Sequence, residues 1–494
     1  MKTLRRIVQS IFLLLFFYLF FLTNFPLSTP VPASIFFKMD PLIAIISLIS
    51  SYKISSTFIL ALCIFIATIF MGRIFCGWIC PMGTFLDIFN ALITKWFLKC
   101  LRKRKTSSIK NLKFYILAGI FSSFLLGFQI IWLLDPISLF SRTLSTGFYP
   151  LLSAFIEKIG NSINFIPEYI SSRFSTETKL NFEIITPVIT IFILILLLEF
   201  YSRRFWCKVL CPLGAFYSLA GHFKLLRRIT SSSCTGCGDC SKTCKMEAID
   251  TNDHRRTDNN ECILCFSCTK SCKQGATKIG FKSKPQPTPY DTNRRSFLLW
   301  IAGGVTAGYA GVNFSNTFSR NHQILRPPGA IKESLFLDSC IRCHECIKIC
   351  MSSGNFLQPC GFESGLEGFW TPRGVAKDGW CEYECNLCTL VCPSGAIKPL
   401  DIETKKKTKI GLAQIDKSRC LPWKKNEECF VCEEHCPTPQ KAIQLDEMEV
   451  FISDSEKLKI KRPSVNKNLC IGCGICEAKC PVEGEKGIKI KPIL

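Results

Sequence analysis

Long apolar runs alternate with short basic stretches through the first part of the chain. Four runs, 7–22, 54–70, 112–134 and 184–201, come near the about 17–25 helical residues that cross a bilayer. A shorter run, 41–51, reads as an interfacial or re-entrant piece, and a fifth long stretch covers 297–314. The first run is short enough for a signal peptide, but no small-residue cleavage site follows it and further spans do, so it reads as an anchor. The N-terminus carries Lys2, Arg5 and Arg6. Segment 72–113 has nine basic residues and one acidic, and 202–296 has 17 and seven, whereas 135–183 has four and five. Positive charge stays on the cytoplasmic side, so the N-terminus, 72–113 and 202–296 are expected there.

The fifth stretch follows Asn293-Arg294-Arg295-Ser296-Phe297-Leu298-Leu299, which resembles a twin-arginine export signal. That route carries folded, cofactor-loaded cargo. No cleavage site follows, so the segment is expected to remain as an anchor with a periplasmic domain after it. Two arginines merely preceding an ordinary helix are the plainer alternative.

The apolar half repeats itself. Phe75-Cys76-Gly77-Trp78-Ile79-Cys80-Pro81-Met82-Gly83-Thr84-Phe85 matches Trp206-Cys207-Lys208-Val209-Leu210-Cys211-Pro212-Leu213-Gly214-Ala215-Phe216, both C-x3-C-P-[ML]-G-x-F. Each copy has an Asp-Pro pair after its first span, Asp40-Pro41 and Asp135-Pro136. Two spans per copy give both the same orientation and a pseudo-two-fold axis along the membrane normal. Cys76, Cys80, Cys207 and Cys211 can then meet about that axis, as redox-active thiol pairs or as ligands of a metal or cluster, unless they only pack beside a Pro-Gly turn. Asp40 and Asp135 either receive protons from a quinol or simply cap the helices that begin at their prolines.

Composition changes the picture through cysteine. The 494 residues include 31 cysteines, with 48% hydrophobic residues and a mean hydropathy of +0.24. A disulfide scaffold is short and lacks long apolar runs. The net charge of +23 could signal nucleic acid, but residues 1–314 hold 35 basic and 15 acidic side chains and residues 315–494 hold 26 and 23. The excess sits with the apolar half, where it fits a membrane surface, and no nucleic-acid partner is expected.

The cysteines fall at the spacing of [4Fe–4S] ligands, C-x2-C-x2-C-x3-C, in which three thiolates wrap one cube and the fourth reaches a neighbouring one. One pair of motifs is Cys234, Cys237, Cys240, Cys244 and Cys262, Cys265, Cys268, Cys272, with Lys245 and Lys273 in place of the usual proline. In this pair Cys272 is expected to complete the first cube and Cys244 the second. Four more motifs follow: Cys340, Cys343, Cys346, Cys350; Cys381, Cys385, Cys388, Cys392; Cys420, Cys429, Cys432, Cys436; and Cys470, Cys473, Cys476, Cys480. Whether these four pair consecutively or nested stays open. These 24 cysteines predict about six [4Fe–4S] clusters, with iron as the bound metal. Cys63, Cys100 and Cys360 are expected to be free. Zinc also binds four thiolates, but six tandem motifs favour iron. Cys340-Ile341-Arg342-Cys343-His344 reads as a haem attachment too, yet it overlaps a cluster motif, and His344 is expected at the surface or behind the ligands. No dinucleotide fingerprint or Walker A motif occurs. Gly303, Gly304, Gly308 and Gly311 fit close helix packing. No catalytic residue is identified.

These residues resemble a known pair of families. The C-x3-C-P repeat, four spans and first motif pair, about 1–285, look like the NapH/MauN-type membrane ferredoxins. The twin-arginine segment, Arg326-Pro327-Pro328-Gly329-Ala330 and the four later motifs, about 290–494, look like the NapG/MauM-type exported ferredoxins. Joining both in one chain makes the export signal internal. The resemblance implies an accessory electron-transfer protein that oxidises quinol, as a quinol dehydrogenase component, and delivers electrons to a periplasmic reductase such as nitrate reductase or to its cytochrome partner. A maturation or assembly factor and a membrane redox sensor are the competing classes. The expected architecture is an α-helical membrane domain with a duplicated two-helix repeat plus ferredoxin-like α+β domains. The domains are 1–225 with four helices, 226–285 as a cytoplasmic two-cluster ferredoxin, 290–318 as the fifth anchor, and 319–494 as a four-cluster domain. The protein is expected in the cytoplasmic membrane, in contact with lipid and the quinone pool.

Overall fold

In the first helix, α1 (Lys2–Leu22), burial follows the helical period: Arg5, Gln9, Leu13, Phe16 and Phe20 face inward. The outward face carries Leu4, Ile7, Ile11, Leu14 and Tyr18. Two polar side chains, Arg5 and Gln9, are buried on a face otherwise made of Leu13, Phe16 and Phe20, while the outward face is also largely apolar. This computed structural model describes all residues except 27–31, 52–56, 97–108, 163–181, 282–293, 319–323, 454–455 and 494. The expected free cysteine Cys100, the basic run 102–105, and Asn293 of the twin-arginine segment lie outside the described residues.

The helices used below are α2 (Pro41–Ser51), α3 (Thr57–Met71), α4 (Pro81–Trp96), α5 (Leu112–Leu125), α6 (Pro136–Arg142), α7 (Tyr149–Ser162), α8 (Phe182–Tyr201), α9 (Pro212–Ala220) and α10 (Arg294–Phe318). Among the described residues, α1 is long and apolar enough to cross a membrane, and Ile59–Met71, Leu112–Leu125, Ile185–Tyr201 and Phe297–Ala310 are shorter apolar helices. They fall on the predicted spans. The span expected over 112–134 is broken. Helix α5 stops where Gly127 takes φ +84° and the Phe128 amide bonds back to Ser123, and the chain resumes as a short turn, Ile131–Leu134.

The chain divides into two compact units. One comprises Met1–Leu22, Thr29–Leu144 and Thr186–Asn313, and the other Thr23–Ser28, Ser145–Ile185 and Phe314–Leu494. In the first, strands β1 (Leu226–Thr230) and β2 (Thr277–Phe281) form an antiparallel pair flanking the first two cysteine motifs. Helix α10 approaches α5 at glycine: a Cβ on Gly304 would stand 2.3 Å from the Gly119 carbonyl oxygen, and Ser122 donates to Ile301 (3.3 Å).

In the second unit, three two-stranded antiparallel ribbons brace the later motifs. They are β3 (Leu357–Pro359) with β4 (Pro372–Gly374), β5 (Leu412–Ile415) with β8 (Ile488–Lys491), and β6 (Ile443–Ser453) with β7 (Glu456–Val465). Its core joins Leu325, Ile347, Phe356, Ile443, Ile488 and Ile490 to the cysteine sulfurs. The segments at 23–28 and in α7 belong here. Lys348 donates to Thr23 (3.1 Å) and lies over the Tyr149 ring, and the Thr146 hydroxyl meets His344 Nδ1 (3.1 Å).

Candidate metal centres

The four motifs with standard spacing share one loop. The residues just before and just after the second cysteine are left-handed: Gly236 and Gly238, Leu264 and Phe266, Arg342 and His344, Gly472 and Gly474. Two successive reversals turn the backbone around a point in front of it. At Leu264, Phe266, Arg342 and His344 this costs about 1–3 kcal/mol each without a compensating partner. The motifs starting at Cys381 and Cys420, whose first gaps are longer, reach the same end without them. In every motif the third cysteine opens or lies in a short helix, such as Asp239–Thr243 for Cys240 or Leu387–Leu390 for Cys388.

The fourth cysteine crosses to the neighbouring motif in five of the six cases. Cys244 lines one cavity with Cys262, Cys265 and Cys268. Cys392 does so with Cys340, Cys343 and Cys346, and Cys480 with Cys420, Cys429 and Cys432. Reciprocally, Cys350 lies beside Cys381, Cys385 and Cys388, and Cys436 beside Cys470, Cys473 and Cys476. The later motifs therefore pair consecutively, first with second and third with fourth. Cys234 and Cys240 approach each other, and Thr243 and Ser271, which precede Cys244 and Cys272, touch at 3.0 Å.

The donor chemistry fits a cationic core with thiolate ligands. Burial in apolar surroundings pushes Cys244 up to about 11 and Cys350, Cys432 and Cys473 up to about 12. A bound cation reverses that and deprotonates the thiol. Amide donors already point at sulfur: Ala248 at Cys244 (3.3 Å), Leu357 at Cys350 (3.3 Å) and Ala413 at Cys470 (3.4 Å). Among the described residues no three His, Cys, Asp or Glu stand close enough to hold a single metal ion, and no described cysteine is in a disulfide. Cys63 is exposed and Cys360 buried, and neither joins a set. His344 is buried, not at the surface. Its ring meets Thr146 and the Trp370 carbonyl (3.0 Å), which occupies both nitrogens.

The two C-x3-C-P motifs fold alike. Phe75–Ile79 and Trp206–Leu210 are single π-helical turns, each followed by a helix that begins at proline with the second cysteine as its cap. The Gly214 amide donates to Cys211 Sγ (3.2 Å), and the Gly83 amide to Cys80. Cys76, Cys80, Cys207 and Cys211 are buried and within electrostatic reach of one another. Burial pushes Cys207 up to about 12 and Cys80 and Cys211 well above the ordinary range.

The copies exchange arginines. Arg204 donates to the Cys76 and Gly83 carbonyls (2.9 Å each), and Arg73 to the Cys207 carbonyl (3.3 Å). A side chain at Gly83 or Gly214 would meet the other copy's guanidinium, at 3.4 and 2.6 Å. The motif thus begins three residues earlier than expected, at Arg-x-[FW]-C, a signal visible in the repeat but missed.

Around this quartet lie further residues that the sequence did not single out. Asp87 pairs with Arg5, Arg204 and Lys245 (3.0, 3.0 and 2.7 Å). Lys245, which stands in place of the usual proline, thus ties the first ferredoxin motif to α4. Glu261 takes Arg73 (2.6 Å) and Lys113. A Cβ on Gly77 would stand 2.3 Å from the Ile263 carbonyl oxygen, and the Trp78 indole donates to Leu264 (3.3 Å), so the loop between Cys76 and Cys80 rests on the loop between Cys262 and Cys265. Asp40 and Asp135 are fully buried, cap α2 and α6 through Leu42 (2.8 Å) and Ser138 (2.7 Å), and meet each other carboxyl to carboxyl. The buried Tyr217 hydroxyl, without a hydrogen-bond partner among the described residues, lies within electrostatic reach of both carboxyls and of Cys76 and Cys80.

Two family models described as "4Fe-4S binding domain" match the chain, one at residues 56–105 and again at 184–231, each time spanning a C-x3-C-P motif, and the other at 463–484. The ferredoxin-type protein NapG of Escherichia coli is 35% identical over 217 residues, covering 43% of this chain and 88% of NapG. The methylamine utilization ferredoxin-type protein MauM of Methylorubrum extorquens is 34% identical over 212 residues, 41% of this chain and 91% of MauM. MauN of Methylobacillus flagellatus is 28% identical over 258 residues, 49% of this chain and 74% of MauN. No solved structure matches.

Proposed function

Starting from the chain's membership of the NapG/MauM family of ferredoxin-type proteins, we propose that it is a multi-pass membrane protein that passes electrons from quinol through iron–sulfur clusters to a periplasmic reductase such as nitrate reductase. The observation that carries this reading is the crossing of the fourth cysteines, which turns linear motifs into four-sulfur cages.

Six cubes would be held by Cys234, Cys237, Cys240 and Cys272; Cys262, Cys265, Cys268 and Cys244; Cys340, Cys343, Cys346 and Cys392; Cys381, Cys385, Cys388 and Cys350; Cys420, Cys429, Cys432 and Cys480; and Cys470, Cys473, Cys476 and Cys436. Such a cube, when bound, supplies reversible one-electron exchange. The protein's own part is to exclude water with residues such as Ile263, Phe266 and Ile397, and to direct amides at sulfur, which tunes potential.

The apolar outward face of α1 supports lipid contact, as do the exposed Ile59, Ile66 and Phe70 of α3 and Ile193, Leu194 and Leu197 of α8. Residues 145–185, from the loop expected outside, belong to the unit of the four-motif domain, and the basic segment 72–113 to the unit of the two-motif domain. This supports a periplasmic C-terminal domain and a cytoplasmic first ferredoxin.

Anaerobic purification of the full chain tests the reading: it should contain about 24 irons and as many sulfides, and quinol should reduce it rapidly. A colourless, zinc-loaded or quinol-inert protein overturns it. Cys350→Ser should cost the cube of the Cys381 motif, not that of its own.

A further inference from the structure

We propose that the cleft between α1 and α4 binds the head group of a lipid-soluble quinol, which rests on the electron-donor reading above and gives its first step a location. The cleft has a volume of about 480 Å³, within the roughly 300–1,000 Å³ typical of small-ligand sites. Its lining sets the buried neutral side chains Gln9, Thr84 and Asn90 and the carboxylate of Asp87 beside three cationic side chains, Arg6, Arg203 and Lys245. Arg5, Arg204 and Lys245 hold that carboxylate, so it accepts hydrogen bonds, while Arg6 and Arg203 make an anionic head group the competing occupant that the test below separates. A neutral hydroquinone matches this set: its hydroxyls donate to a carboxylate or amide oxygen and accept from an amide N–H.

The approach to the cleft is apolar. Ile88 lines it, and Ile7, Ile11 and Leu14 of α1 and Leu92 of α4 are exposed on the same two helices. A prenyl tail can lie along them while the ring enters sideways. On the electron-accepting side, Lys245 lines the cleft and is bonded to Cys244, the sulfur that shares a cavity with Cys262, Cys265 and Cys268. Thr84 donates to the Cys80 carbonyl (3.1 Å), so the cleft also borders the thiol quartet. Oxidation breaks the two O–H bonds of the quinol and leaves a quinone. Its two electrons pass singly to the iron–sulfur centre that Cys244 helps to hold, and its two protons leave to water at the open mouth.

The test uses the full, cluster-loaded chain in lipid nanodiscs and two variants that fill the cleft from exposed positions, Ser10→Phe and Ala91→Phe. An azido-quinone analogue should photolabel α1 or α4 in the wild type and lose about tenfold in affinity in each variant, the loss expected from displaced hydrogen bonds. Quinol-dependent reduction should fall in parallel, while dithionite reduction and thermal stability stay unchanged. If quinol reduces the wild type and both variants equally, or labelling falls elsewhere, the cleft is not the site although the electron-donor reading stands. If quinol does not reduce the wild type, that broader reading fails instead. An anionic phospholipid found in the cleft by native mass spectrometry, lost in both variants without change in quinol oxidation, also overturns the assignment.

Discussion

Arg204 donates to the carbonyl oxygen of Cys76 at 2.9 Å, although 128 residues separate them. Its counterpart Arg73 does the same for Cys207 at 3.3 Å. A buried guanidinium needs acceptors for all its donors, and the π-helical turn supplies a carbonyl that an α-helix would have used internally. The two arginines therefore fix the spacing between copies, and with it the four thiols.

Arg204→Leu should destabilise the first unit by about 3–5 kcal/mol, because it leaves the Asp87 carboxylate short of a partner and two carbonyls unpaired. Arg204→Lys should recover little, since an ammonium cannot reach Asp87, Cys76 and Gly83 together. Arg203→Leu, one residue away and exposed, should be near neutral. Thermal unfolding and the alkylation rate of Cys76 and Cys80 measure this. Equal rates in Arg204→Leu and wild type would show that the arginine does not hold the quartet.

Asp40 and Asp135 were open to two readings, helix caps or proton acceptors, and the fold makes them caps that also face each other. Neither has a cationic partner among the described residues. Two carboxylates in contact without a cation cannot both ionise, so the pair shares a proton at neutral pH. Infrared spectroscopy of the full chain should show a carboxylic-acid carbonyl band that shifts in deuterium oxide. Each of Asp40→Asn and Asp135→Asn should alter it, and the double variant should abolish it. A wild-type spectrum that matches the double variant in this region refutes the shared proton.

Much of this was legible in the sequence because iron–sulfur ligation is local. Three sulfurs come from one short loop, so spacing alone finds Cys262, Cys265 and Cys268. The fourth ligand is a tertiary matter. Spacing could not say whether Cys350 serves the motif at Cys381 or one farther on, since that depends on how the loops pack. Apolar runs located the helices, but not the break at Gly127, which a left-handed residue sets. The charged network was hidden for a different reason. Arg73, Arg204, Asp87 and Glu261 lie far apart in sequence and are ordinary residues one at a time. Only burial makes their partners compulsory.

Asp87 illustrates that compulsion and predicts a pH dependence. Burial alone would raise its pKa, but Arg204, Lys245 and Arg5 outweigh it and hold the carboxyl well below the usual range. A carboxyl depressed in the folded state contributes stability above its unfolded pKa, about 3.9, and loses it as pH falls through the folded value. The stability gap between wild type and Asp87→Asn should therefore be flat from about pH 8 to 5 and shrink only below about pH 4. At neutral pH it should be about 3–5 kcal/mol, because the variant leaves three buried or half-buried cations facing one another. Denaturant unfolding of both proteins across that range measures the gap. A gap that stays constant below about pH 4, or that widens as pH falls from about 7 to 5, would mean that Asp87 titrates at or above its ordinary value and that the three cations do not hold it ionised.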